Sequence, residues 1–447
     1  MKTKKLLLTL LASSILTTTS FGKMITQCSS EGTDGAVTGS SNMHSQFPIA
    51  SVSKVFTSLW ALEKLGATYR YPTQVYLTKL NSGSYDVHLR GSVFPYFDRT
   101  MFYFLITALN KRGITKIDNL TYDENFEYGS IIRDNKDLAH KNGTQSETEI
   151  MQQLRADVTN LKTNYRSFLN QTQSLVKLKL PTSVNLTIHD IHATSMSQFN
   201  KDETTGSFML RSSELHRVLK EMNRNSNNFA ADKIYERLAR TQKFSDYLSK
   251  SIGADANEFN FVNGSGYPTI VNGVKTYNSA TCNTVVEVNK KLFKAAAAQN
   301  FGLRYILPVT GLDTDSDSTV TQIYSSNLTT GALVAKTGTI SQSVSLAGAV
   351  LTQDNLIYFH ATATTGDYQQ IKNFVSSLIK NNGGKATIDN YKPQAFLPFD
   401  EKSISEDTGS VATDNTVVNN IRENIPAPSE DVTLQNSLQN TQTVIDP

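Results

Sequence analysis

Ser51-Val52-Ser53-Lys54, Ser226-Asn227-Asn228 and Lys336-Thr337-Gly338 stand in this order along the chain. Each pattern is short enough to arise by chance. Together they describe acyl transfer through a serine whose base is a lysine. A serine hydroxyl is a poor nucleophile until a neighbouring base takes its proton. A lysine can serve if burial or nearby positive charge lowers its pKa.

The elements around these motifs suit that chemistry. Pro48 precedes the first, and Val52, Val55, Phe56, Leu59, Trp60, Leu62 and Leu65 follow at helical spacing up to Gly66. This predicts a buried helix with Ser51 in its first turn and Lys54, three positions on, beside the hydroxyl. The helix start also offers free backbone N–H groups where an oxyanion would form. Alone, Ser51 reads as a helix cap and Lys54 as a surface residue; the other two motifs reverse that. Ser226-Asn227-Asn228 interrupts a helical stretch, with Leu215, Val218, Leu219 and Met222 before it and Phe229, Ile234, Tyr235 and Leu238 after it. It reads as a loop or cap lining a cleft, or as a simple turn. Lys336-Thr337-Gly338 continues the strand-like Ala332–Ala335, and Gly there permits close approach of another backbone.

The resemblance runs further. Pro48–Thr57, Ser226–Asp232, Asn263-Gly264-Ser265-Gly266-Tyr267, Leu307–Asp313, Ala335–Ile340 and Leu346-Ala347-Gly348 together resemble the class C low-molecular-mass penicillin-binding proteins. These are D-alanyl-D-alanine carboxypeptidases and endopeptidases of the periplasm. The resemblance implies an α+β fold: a penicillin-binding transpeptidase-like, serine β-lactamase-like catalytic domain with an inserted accessory region. It also implies roles. Ser51 would be the nucleophile, Lys54 its base, and Ser226 with Lys336 the proton route to the leaving amine. Asn228, Thr337, Gly338 and Thr339 would bind substrate. Peptidoglycan would be the substrate and β-lactams covalent inhibitors, with no cofactor. Two departures stand out. Arg90–Asp98 occupies the place of the family's Gly-Gly-Asp-Pro loop, and a helical pattern over Glu147–Leu178 replaces its β-rich module. The spacing from Ser51 to Ser226 is short for the family, so the accessory module is expected to be reduced and the cleft more open.

At 447 residues the chain has room for two or three domains. Residues 1–22 read as a signal peptide: Lys2, Lys4 and Lys5, then an apolar run over Leu6–Leu16, with Ser20 and Gly22 before a cut. No later stretch is apolar enough for a transmembrane anchor, and periplasmic export is the expectation. The formal charge of +3 falls near zero without the leader lysines, which is no nucleic-acid signature. Cys28 and Cys282, the two cysteines, allow one disulfide or two free thiols.

The catalytic domain is expected over 23–73 and 208–390, the insert over 74–207, and a polar, acid-rich disordered tail over 400–447. His189 and His192 flank Asp190 without a zinc-protease pattern, so no metal is expected. Two other readings share the motifs: a serine β-lactamase, and a wall-binding module that keeps the fold without catalysis. The insert and the Leu307–Asp313 block count against the first, and the intact motifs against the second.

Overall fold

The computed structural model describes residues 23–129, 146–175, 178–313, 318–388 and 391–406. The expected signal peptide and the chain from 407 onward lie outside them. A five-stranded antiparallel sheet runs in the order Leu333–Thr339, Ser343–Leu351, Leu356–Thr364, Met24–Glu31, Thr38–Gly39. Its central strands are buried on both faces because alternate residues serve two cores. Ala347, Ala349 and Tyr358 face the helix Cys282–Ala297. Leu346, Val350 and Phe359 join Ile371, Val375 and Ile379 of the helix Tyr368–Asn381.

The helix Ser53–Leu65 is buried over its whole first three turns, Ser53 to Leu62. Three helices surround it: Cys282–Ala297, Asn228–Ala239 and Leu215–Arg224. Its apolar residues therefore run round the helix instead of along one stripe. Trp60 anchors it among Tyr235, Phe244 and Tyr247. The cysteine question resolves to a disulfide: Cys28 bonds Cys282 with Cα atoms 6.1 Å apart, tying the strand Met24–Glu31 to the helix behind it.

A six-stranded sheet runs in the order Ile404–Glu406, Thr205–Arg211, Pro72–Lys79, Tyr85–Arg90, Lys116–Tyr122, Thr187–Ala193. Its last two joins are parallel and the others antiparallel. This sheet corrects two expected boundaries. Thr205–Arg211 pairs along Pro72–Lys79, so both expected domain edges, at 73–74 and 207–208, fall inside one ladder. The tail does not begin at residue 400. Ile404 pairs with Leu210, Phe399 stacks on Phe104, and Asp400 bridges Arg70. The composition of this segment hid it, because a three-residue edge strand draws its order from a neighbour's backbone groups. The Glu147–Leu178 pattern forms two helices, Glu147–Thr159 and Leu161–Thr172, opened by a Ser146/Glu149 capping box. They pack on the strand Thr187–Ala193 and the helix Arg99–Lys111 within the insert.

Candidate active site

The strand Gln46–Pro48 is held by Ser279–Thr281, and the chain then turns abruptly at Ala50. Ala50 has φ 48°, a left-handed conformation that costs an alanine about 1–3 kcal/mol. Its surroundings enforce it. Ser53 Oγ donates to the Ala50 carbonyl (2.7 Å), and Ser345 Oγ donates to that of Ile49 (3.1 Å). Two glycines press against the same turn: a Cβ on Gly266 would fall 1.9 Å from the Ala50 oxygen, and one on Gly338 2.5 Å from the Ile49 oxygen. Ser51 consequently lies in a 3₁₀ turn, Ala50–Val52, that leads into the helix instead of in its first α turn. The hydroxyl stays half-exposed while Lys54 is wholly buried.

Lys54 Nζ lies 3.0 Å from Ser51 Oγ, 2.7 Å from Asn228 Oδ1 and 3.0 Å from the Ser265 carbonyl. All three contacts are uncharged. Burial pushes the ammonium down to about 7, and Asp232 opposes it. Asp232 makes its hydrogen bonds one residue away from the lysine: it accepts from Ser265 N (2.8 Å) and Oγ (3.1 Å). Burial raises the Asp232 carboxyl, with the Lys54 charge working the other way. A neutral lysine here keeps two N–H groups on fixed acceptors and points its lone pair at the Ser51 hydroxyl. That is the geometry a general base requires.

Ser226 sits between the helices Leu215–Arg224 and Asn228–Ala239, with φ 54°. Asn227 caps the second helix through Ala230 N (3.0 Å), and its Nδ2 reaches the buried Tyr96 hydroxyl (3.4 Å). Tyr96 comes from Arg90–Asp98, so that departure from the family pattern supports the motif from behind. Lys336 Nζ, on the strand Leu333–Thr339, donates to Ser226 Oγ (2.9 Å) and to the Thr337 carbonyl (2.9 Å). Burial first, and the Lys54 charge second, hold it well below an ordinary lysine. Thr337 Oγ1 lies 2.6 Å from Thr319 Oγ1, and Thr339 is exposed at the strand end.

The structure thus gathers Ser51, Lys54 and Asn228 into one hydrogen-bonded group and Ser226 with Lys336 into a second, near enough for the Lys54 charge to act on Lys336, with Thr337, Gly338 and Thr339 along the same strand as Lys336. Sequence reasoning missed Asp232, Ser265 and Tyr96 as members of the site. Asp232 and Ser265 were visible only as parts of longer patterns, because one acts through a backbone amide and the other through its carbonyl. His189 and His192 stand apart, exposed beside Asp118 and Asp190. Among the described residues, no group of three or more His, Cys, Asp or Glu could hold a metal.

Comparison with known proteins gives the family and the fold. The family model described as D-Ala-D-Ala carboxypeptidase 3 (S13) matches residues 9–159 and 191–383. Among solved structures, the predatory endopeptidase Bd3459 of Bdellovibrio bacteriovorus, in complex with immunity protein Bd3460, shares 32% identity. It covers 86% of this chain and 100% of its own, with TM-score 0.78. Bd0816 of the same organism, in complex with the same immunity protein, shares 33% over the same coverage, with TM-score 0.76. Penicillin-binding protein 4 of Haemophilus influenzae shares the fold at 15% identity, covering 80% of this chain and 97% of its own, with TM-score 0.56. No curated protein matches in sequence.

Proposed function

As a member of the D-Ala-D-Ala carboxypeptidase 3 (S13) family, this chain is a serine DD-peptidase, and we propose that Ser51 is its nucleophile and Lys54 the base that activates it. The carrying observation is the 3.0 Å contact between Lys54 Nζ and Ser51 Oγ, made by a lysine whose other two partners are neutral acceptors. Ser51 Oγ attacks the carbonyl of a D-alanyl bond as Lys54 takes its proton. The backbone N–H groups of Ser51 and Thr339 hold the oxyanion. Lys336 and Ser226 relay a proton to the departing amine. Asn228, whose oxygen is on Lys54, has its Nδ2 for the substrate amide. Thr337 and Thr339 bind the terminal carboxylate, and Gly338 lets their strand lie close to the nucleophile's turn. Water then releases the acyl group.

Penicillin G acylates a relative, Bd3459, that is 32% identical, which supports β-lactams as covalent inhibitors here. Peptidoglycan is the substrate on this reading, which puts the enzyme outside the cytoplasm. A cleaved leader over 1–22 and a periplasmic location complete it. No helix among the described residues is long and apolar enough to cross a membrane. The insert's two helices pack mainly on the insert's own strand and helix, with Phe168 also reaching Phe399, which supports a cleft roomy enough for cross-linked stems as well as linear pentapeptides. Ser51→Ala should abolish both penicillin labelling and hydrolysis, and retained turnover would refute the assignment. Digestion of purified sacculi tests the endopeptidase half, which fails if dimers persist while pentapeptides are trimmed. Rapid nitrocefin turnover would favour the β-lactamase reading instead.

A further inference from the structure

Away from the cluster, a small open pocket of about 40 Å³ lies between the helix Leu215–Arg224, the turn Leu303–Tyr305 and the segment Tyr391–Phe396. Five cations line it: Arg217, Lys220, Arg224, Arg304 and Lys392, against one acid, Glu221. Arg217, Lys220, Glu221 and Arg224 share one face of the helix by their three- and four-residue spacing. The fold accounts for two of the cations. Lys220 Nζ is used by Asp313 (2.6 Å) and by the carbonyls of Arg304 and Leu307 (both 2.8 Å). Arg224 pairs with Glu221 at 2.7 Å.

None of the other three makes a direct ion pair with a carboxylate among the described residues, although the Arg217 charge is felt by Asp400. Arg217 reaches only the Ala395 carbonyl, at 3.3 Å. Lys392 is exposed. Arg304 is the informative one: it is 4% exposed, its guanidinium lies 5.2 Å from the Tyr305 ring, and its Nε has no acceptor. A guanidinium N–H taken out of water without an acceptor is costly to keep. Two more cations at the mouth of the same pocket add to the repulsion. A bound anion relieves both at once, and the forked donors of two arginines suit the planar or tetrahedral oxygens of such a group.

We infer that this pocket is an oxyanion-binding site, built around Arg304 with Arg217 and Lys392, that takes a carboxylate or phosphate group. The ligand is small or is the end of a larger chain, since Tyr305 and Tyr391 wall the pocket. Anion binding at this pocket does not depend on the role of Ser51 and is read without turnover.

Isothermal titration and thermal unfolding of the full protein at constant ionic strength test it, with inorganic phosphate and succinate as probes and chloride as control. Millimolar or tighter binding of one probe, with a matching rise in Tm, is expected. Arg304→Gln should weaken it at least tenfold. Because that buried variant could fail to fold, the paired exposed variant Arg217→Gln/Lys392→Gln should weaken it several-fold, whereas Lys275→Gln should not. Preference for succinate identifies a carboxylate source, such as a wall stem peptide, and preference for phosphate a phosphate source. Binding no tighter than chloride, or unchanged in the paired variant, means an adventitious ion only and overturns the proposal.

Discussion

Lys54 and Lys220 are both lysines taken out of water, on two helices that pack against each other. Each spends its ammonium on three acceptors. The difference is the chemical nature of the acceptors. Lys220 has a carboxylate, Asp313, at 2.6 Å, and this resists the burial that lowers it to about 8. Lys54 has a hydroxyl, an amide and a carbonyl, and its nearest carboxylate makes its hydrogen bonds through Ser265 instead. A direct ion pair makes a structural lysine, and neutral acceptors make one that can give up its proton near pH 7.

The largest test of this contrast is Lys54→Met. Acylation by penicillin should fall about 10²–10⁴-fold, the usual worth of a general base. Stability should rise at neutral pH, because the variant no longer has to bury an amine that is charged in the unfolded chain. The sign follows from linkage: the folded pKa lies below the unfolded one, so wild-type stability increases with pH from about 7 toward 10.5. The variant's stability should lack that slope. Denaturant titrations at several pH values would show it, and a destabilised variant would break the comparison. Lys220→Met should do the opposite, lowering stability by about 3 kcal/mol because Asp313 is left buried without its cation.

Asp232→Asn probes the intermediate case. The asparagine can keep the Ser265 contacts but removes the charge that holds Lys54 up. A base must be neutral, so acylation should rise with pH through about 7 in the wild type. In the variant that midpoint should move roughly one unit lower, the effect of one nearby opposite charge. A loss of rate at every pH with no shift would leave Asp232 a purely structural role.

Much of the cluster was legible in sequence because local geometry carries it. Residues three apart on a helix meet, so Ser51 and Lys54 were readable as a pair; a polar triplet between two apolar helical runs reads as a cleft-lining loop. What escaped was non-local. The Cys28–Cys282 bond spans 254 positions, and spacing alone left it open. The six-stranded sheet collects strands from both sides of the expected domain edges, since pairing depends on backbone groups that composition does not report. Asp232 was hidden for a related reason, because its contacts run to a turn far along the chain.

The smallest expected effect lies where the sequence read as disordered. Asp400 accepts two hydrogen bonds from Arg70, each at 2.8 Å, beside the short strand Ile404–Glu406. Burial works against its charge, but the Arg70 guanidinium and the Lys402 amide outweigh that and hold its carboxyl below the ordinary range. A depressed carboxyl stabilises the fold above its unfolded value, near 3.9, and that contribution disappears as pH falls through the lower folded value. The pair is only partly shielded, and Arg70 would still keep Glu214 at 3.2 Å. Asp400→Asn should therefore cost about 1 kcal/mol at pH 7, and the gap to wild type should close below about pH 4. Equal stability of the two proteins at pH 7 would mean that this end of the chain contributes nothing to the fold, and that the sequence reading of a tail from residue 400 was the better description.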